Sequence, residues 1–282
     1  MRPILMLAAS VLALSAPPAL ADNHGSHARH AAAKPAADPL APILAHPRRD
    51  ADRARDEFRH PAETIAFFRI QPGMTVVDYT PGGGWWTRVL VPLVGPQGRY
   101  IGLAPDVSQA SEGQRRFHGG LAESFPPRAK EWTGVDVAAF NTDGIPAELN
   151  GTVDRVVIFR AMHNLWRNNM LHRELFALHR LLKDDGLLGI EQHRARPDAS
   201  AAYGDGSKGY LREKDVVALV EAHGFELVAK SEVNANPADP ANHAEGVWTL
   251  PPTLRGVAEA DKPRLEAIGE SDRMTLLFRK RP

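Results

Sequence analysis

The stretch Asp78-Tyr79-Thr80-Pro81-Gly82-Gly83-Gly84-Trp85-Trp86-Thr87 holds the first residues that can do chemistry. It follows an apolar, β-branched run and opens a helix-prone one. In that strand–turn–helix setting a glycine cluster lets backbone come close to a ligand. The helix start adds unpaired N–H groups and a partial positive charge. Asp78, at the strand end, can accept hydrogen bonds from the turn or from a ligand's amine. Three ligand classes compete. A phosphate loop needs Gly-Lys-Ser/Thr after the glycines, and Trp85-Trp86-Thr87 does not supply it. A dinucleotide site wants G-x-G-x-x-G; Gly82 and Gly84 fit, but Thr87 stands in the third place. S-adenosylmethionine has no phosphate and needs only the close backbone approach, and Tyr79, Trp85 and Trp86 offer aromatic faces to its sulfonium. A tight turn with two packed tryptophans accounts for the same residues without any ligand.

Further candidates lie downstream. Arg160-Ala161-Met162-His163-Asn164 follows the apolar run Val153–Phe159. His163 suits a general base toward an acceptor hydroxyl or amine, and equally a hydrogen bond that fixes the loop. His193 and Arg194 end the next apolar run; the first is a second base candidate and the second can grip an acceptor carboxylate bidentately. Residues 199–209, polar and glycine-rich, read as a mobile lid or as a plain surface loop. Glu270-Ser271-Asp272-Arg273 reads as a solvated turn or a salt-bridge anchor. A chain freed at Asp22 would begin Asp22-Asn23-His24, which can wrap Cu(II) or Ni(II) in nitrogen ligands with His24 completing the set. A chance histidine-rich linker is the plainer reading there.

These residues need elements to hold them. Strands are predicted at Thr75–Tyr79, 99–103, 135–140, Val153–Phe159, 187–192, 225–233 and Arg273–Lys280. Helices are predicted over 52–59, from Pro61 to about residue 70, over 85–94, 109–118, 172–182 and 212–223, with Gly186 and Gly224 closing the last two. Strands alternating with helices imply βαβ units and a mainly parallel, doubly wound α/β sheet, with its ligand crevice at the carboxyl ends of the strands.

The chain has 282 residues, with 34 basic and 34 acidic side chains and no cysteine. The charge balance offers no footprint for nucleic acid or an anionic membrane surface. The lack of cysteine excludes disulfides, thiolate metal sites and cysteine nucleophiles. Residues 1–21 have one Arg, an apolar run and an Ala19-Leu20-Ala21 end, the layout of a Sec-type signal peptide. A periplasmic or secreted protein with no membrane span after cleavage is expected. Residues 22–50, rich in Ala, Pro and His, read as a flexible leader, and residues 51–282 as one domain.

The stretches RDEFRHPAETIAFFRIQPGMTVVDYTPGGGWWTRVLVPLVG, VIFRAMHNL, HRARPD with KGYLRE, NANPADPANHAEGVWTLPPTL and IGESDRMTLLFRK resemble the exported class I S-adenosylmethionine-dependent methyltransferases. The resemblance spans roughly residues 53–280. It implies a seven-stranded sheet whose last two strands pair antiparallel, S-adenosylmethionine as cofactor, and a small-molecule acceptor. By position, Asp78, Tyr79, Thr80, Pro81, Gly82, Gly83, Gly84 and Trp85 would form the first cofactor loop, with Arg160 beside it. The chain departs from the general pattern at Thr80, where a glycine is expected, and at Ala104, where an acid for the ribose hydroxyls is expected. Asp106, two places late, is the substitute candidate, and Asn141 or Asp143 stand for the adenine-side contact. A non-catalytic exported binding protein that keeps the fold is the alternative; an NAD-linked oxidoreductase fits the loop less well.

Overall fold

The computed structural model of the chain describes residues 38–281. One sheet is built from β1 (Thr75–Tyr79), β2 (Arg99–Ala104), β3 (Ala138–Asn141), β4 (Val153–Phe159), β5 (Leu182–His193), β6 (Phe225–Ser231) and β7 (Arg273–Lys280). The strand order is β3-β2-β1-β4-β5-β7-β6. The first five strands run parallel, and β7 lies antiparallel between β5 and β6. This is the doubly wound, mainly parallel seven-stranded sheet with an antiparallel C-terminal pair that characterises the class I methyltransferase fold.

The helices are α1 (Leu40–Leu44), α2 (Asp56–Arg59), α3 (Pro61–Phe67), α4 (Thr87–Val94), α5 (Glu112–His118), α6 (Leu121–Thr133), α7 (Met162–Arg167), α8 (Leu171–Leu181), α9 (Glu213–Ala222) and α10 (Lys262–Glu266). They cover both faces, and the pleat divides the strand residues between them. Val77, Val156 and Leu276 pack with Leu175 and Leu178 of α8 and Val216 and Val220 of α9. Their neighbours Val76, Val157 and Leu277 pack with Ile65 of α3, Leu90 of α4 and Phe125 of α6 on the other side. The chain leaves β1 toward β2 and β3, then returns to β4 on the opposite side of β1. The crevice above β1 and β4 is therefore the topological switch point.

Three expectations shift. Helix α6 is unforeseen because Pro126 and Pro127 lie inside it; burial of Phe125, Ala129 and Thr133 holds the helix despite the lost backbone donors. With α6 in place, β3 starts at Ala138 rather than at 135. Gly186 does not close α8: the helix stops at Leu181, and Gly186 lies within β5, before the register with β4 resumes at Leu187.

Residues 38–50, assigned by composition to the leader, are built into the domain. Leu40 joins the core beside α4, and Arg49 is fully buried, its guanidinium paired with Asp56 at 2.7 Å. The signal segment, the His24 site and the rest of the leader lie outside the described residues. No helix among the described residues is long and apolar enough to cross a membrane.

Candidate functional site

A cavity of about 990 Å³ opens at the carboxyl ends of β1, β2 and β4. The loop after β1 forms its floor, and each residue there has a separate reason. Thr80 takes a left-handed φ of 60°, the conformation that a glycine would adopt more easily. Its N–H donates to the Leu103 carbonyl at 2.7 Å and its hydroxyl to the Tyr79 carbonyl at 2.7 Å, which hold it there. Gly82 and Gly84 also have positive φ, of 58° and 76°. A Cβ on Gly84 would lie 2.1 Å from the Trp132 ring of α6, so this glycine serves packing. Gly83 has neither demand: its φ is ordinary, and a Cβ would meet nothing within 4 Å. It is exposed, its carbonyl accepts from Arg88 Nη1 at 3.2 Å, and the side where a Cβ would stand is open at the cavity.

Asp78, the last but one residue of β1, is 1% exposed and accepts from the Tyr100 hydroxyl at 2.8 Å. Burial pushes its carboxyl up to about 7, against the opposing effect of that hydrogen bond.

The aromatic faces expected to meet a sulfonium are engaged elsewhere. Trp85 carries the guanidiniums of Arg49 and Arg59 over its ring, 4.8 and 4.7 Å from the centroid, and its Nε1–H points to the Asp52 carbonyl at 3.3 Å. Trp86 stacks on Phe159 at 4.1 Å. Tyr79 is buried and donates its hydroxyl to Glu174 at 2.8 Å, away from the cavity.

The substitute ribose and adenine contacts do not reach the cavity either. Asp106 folds back on its own turn, accepting from the Ser108 N–H at 2.7 Å and the Ser108 hydroxyl at 2.6 Å. Asn141 spends its amide hydrogens on the carbonyls of Pro105 and His118, at 2.7 and 3.1 Å. Asp143 is exposed on a short turn. Ala104 and Pro105 line the wall where an acid was expected.

On the other side, Arg160 and His163 follow β4 and both line the cavity. Arg160 has a left-handed φ of 55°, the second non-glycine residue so held at the switch point. His163 is 4% exposed, with Nδ1 3.3 Å from Oε1 of Gln192. The Gln192 amide nitrogen donates to the Gly209 carbonyl at 2.7 Å, which turns its oxygen toward the histidine. Nδ1 therefore carries the hydrogen and Nε2 keeps the lone pair. Burial depresses the imidazole to about 4, so His163 is neutral at pH 7.

His193 sits beside it, ring centroids 5.7 Å apart, with Nδ1 2.6 Å from the Ser271 hydroxyl. Burial, then His163 and Arg160, push its pKa down as well. The two histidines predicted as bases are thus brought together at one wall. Arg194 is not with them. Its guanidinium pairs with Glu232 at 2.7 Å, Asp272 at 2.9 Å and Glu213 at 3.3 Å, which raises its pKa and leaves no fork for a substrate.

The 199–209 segment packs against this wall. Ser207 and Lys208 line the cavity, and a Cβ on Gly206 would lie 2.8 Å from the His163 carbonyl.

The sequence reading missed the cations. Arg55 and Arg59, from the segment before α3, meet Arg160 around Glu270. Arg88, Arg116, Arg128, Arg167, Lys208 and Arg255 complete a basic lining, against Asp52, Asp78 and Glu245. Arg88 is itself paired with Asp52 at 2.6 Å. The stretches RDEFRH, VIFRAMHNL and IGESDR hold Arg55, Arg59, Arg160, Glu270 and Arg273, but nothing in their spacing says that they meet.

No protein-family model and no curated protein matches this chain. Several solved structures are similar. One is a SAM-dependent methyltransferase from Aquifex aeolicus, 22% identical, covering 65% of this chain and 88% of its own, with a TM-score of 0.46. Another is the 1,6-didemethyltoxoflavin-N1-methyltransferase of Burkholderia thailandensis, with 1,6-didemethyltoxoflavin and S-adenosylhomocysteine bound, 15% identical, covering 83% of this chain and 82% of its own, with a TM-score of 0.44. A TehB-like SAM-dependent methyltransferase from Corynebacterium glutamicum is 16% identical, covering 82% of this chain and 96% of its own, with a TM-score of 0.43. At these values the likenesses decide nothing about site or activity, and the fold rests on the strand order itself.

Proposed function

We propose that this chain is a methyltransferase that binds S-adenosylmethionine above the 78–84 loop and serves a small-molecule acceptor on the His163 side. The observation that carries the reading is Gly83. Nothing in the folded chain requires a glycine there, and the space its missing side chain leaves faces a cavity at the switch point. Bare backbone at that place suits a nucleoside without a bridging phosphate.

When bound, S-adenosylmethionine supplies an electrophilic methyl group. The chain's own part is alignment and proton handling. Gly82 and Gly83 admit the cofactor to the floor. Asp78, poised near neutrality, accepts a hydrogen bond from an amine laid on the loop. His163, held by Gln192 with Nε2 free of a hydrogen, takes the proton of an acceptor hydroxyl or amine at that atom. His193 and Ser271 hold the adjoining wall.

A second reading has its own support. Ala104 and the inward-folded Asp106 leave no acid at the end of β2, which suits a binding protein that has kept the fold without turnover. Export through the signal layout of residues 1–21, and His24 as a metal ligand, belong to the proposal as expected from sequence. N-terminal sequencing of the protein recovered from its native compartment tests both; a start other than Asp22 removes the metal site.

Calorimetric titration of S-adenosylmethionine and S-adenosylhomocysteine into the folded protein tests the main reading. Saturable binding that Gly83→Leu abolishes supports it. No heat from either ligand, with the fold intact, leaves the second reading in its place. Binding without methyl transfer to any acceptor pool does the same for catalysis.

A further inference from the structure

A second cavity of about 250 Å³ opens beside the first and shares Arg55, Arg59, Arg160, His193 and Trp248 with it. Its remaining wall comes from the connection between β6 and β7, through Val247, Pro252 and Ser271. None of the 78–84 residues reaches it.

The charges around it do not balance. Glu270 is the shared partner of Arg55 at 2.6 Å, Arg59 at 3.2 Å and Arg273 at 3.0 Å, with Arg160 at 3.8 Å. Arg273 has a second carboxylate, Glu191, at 3.0 Å. Four guanidiniums thus share two carboxylates in a place largely shielded from water. Burial pushes the Glu270 carboxyl up, but Arg59, Arg273, Arg160 and Arg55 outweigh it and hold it near about 2. Arg59 bears the excess most openly. It is 1% exposed, its Nη1 and Nη2 have no hydrogen-bond partner among the described residues, and it lines both cavities. The Arg160 Nε–H is likewise without a partner. Buried cations with unmet donors are costly unless an anion completes them, and a planar fork suits a carboxylate or phosphate oxygen pair.

We propose that this side pocket receives a carboxylate or phosphate group of the methyl acceptor, held by Arg59 and Arg160, so that the acceptor is a small organic anion. The assignment to the acceptor rests on the methyltransferase reading; the anion site does not. The pocket's distance in sequence and lining from the glycine loop puts it on the acceptor's side of the cavity, and the acceptor's nucleophile would then face His163.

The test is titration of inorganic phosphate into the full chain at fixed ionic strength, with chloride as control, followed by thermal shift and calorimetry. Wild type, Arg160→Gln, Arg160→Lys and the less buried Arg55→Gln are compared, with S-adenosylhomocysteine titrated with and without saturating phosphate. Expected are saturable phosphate binding, a loss of affinity on the order of tenfold in Arg160→Gln, partial recovery in Arg160→Lys, a smaller loss in Arg55→Gln, and no effect of phosphate on S-adenosylhomocysteine. A phosphate response equal to that of chloride, or the same in wild type and both Gln variants, overturns the anion site. Phosphate competing with S-adenosylhomocysteine assigns the pocket to the cofactor's own carboxylate and overturns the acceptor assignment. Phosphate binding that needs Arg160, in a protein that binds no S-adenosylhomocysteine, upholds the anion site while the methyltransferase reading falls.

Discussion

The Tyr100 hydroxyl of β2 donates to the Asp78 carboxylate of β1 at 2.8 Å, and both side chains are buried, Asp78 at the lining of the cavity. The pair sets a pH dependence. Folded Asp78 keeps its proton up to about pH 7, whereas in the unfolded chain it loses it near the ordinary value of 3.8. Between those values the folded state binds more protons, so stability falls as pH rises and is flat above the window. Each pKa unit corresponds to about 1.4 kcal/mol. Asp78→Asn, which still accepts from Tyr100, should lose this fall. Urea midpoints at pH 5 and pH 8 check it: equal slopes in wild type and variant would refute the assignment.

His163 works in the opposite direction. Its folded pKa of about 4 lies below the ordinary 6.5, so the unfolded chain binds the extra proton between the two. Stability rises with pH through that window and is complete above it. His163→Gln should flatten this rise, and the wild-type curve should show the two effects partly cancelling. If His163 is the base, transfer by Asp78→Asn, which lacks the carboxyl that titrates at about 7, should show no break between about pH 6 and 8, because the imidazole is already neutral there. A bell centred near 6.5 would point to another group.

Neighbouring glycines should separate binding from stability. Gly84→Ala drives a Cβ into Trp132 at a left-handed φ and should cost about 1–3 kcal/mol. Gly83→Ala should change stability by no more than about 0.5 kcal/mol yet weaken S-adenosylhomocysteine binding. Melting curves and calorimetry on both variants read this directly; parallel losses in the two would contradict it.

Arg194→Gln leaves Glu213, Glu232 and Asp272 without their shared cation. The side chain is part-exposed, so solvent moderates the effect, and a loss of about 2 kcal/mol is expected. Ligand affinity should hold at the wild-type value once the protein is folded. A selective loss of acceptor binding would restore Arg194 to the site.

The sheet was legible because its signals are local. Val76 and Val77 before Asp78, and the apolar run ending at Phe159, each announce a strand within a few residues. The same holds for the 78–84 loop. What escaped depends on the tertiary arrangement. Pro126 and Pro127 argue against a helix, and only the burial of Phe125 and Ala129 overrules them. Trp85 looks free for a ligand until Arg49, from the segment that reads as leader, and Arg59, from the end of the 52–59 helix, settle over its ring. Arg194 resembles a substrate clamp until Glu232 and Asp272 arrive from distant strands. The anion pocket joins Arg59, Arg160 and Glu270, which no spacing in the sequence connects.

β7 is the last strand in sequence, yet it fills the place between β5 and β6. While the chain is still being made, β5 has an open edge and β6 has no sheet neighbour at all. Pairing must wait for Arg273–Lys280, and Arg273 brings with it the cation that meets Glu191 and Glu270. Completion of the sheet and closure of the buried charge cluster are therefore one late event. A chain cut short before Arg273 would expose a sticky β5 edge and leave the buried Glu191 carboxylate without its cation, the hallmarks of a species that aggregates or is degraded.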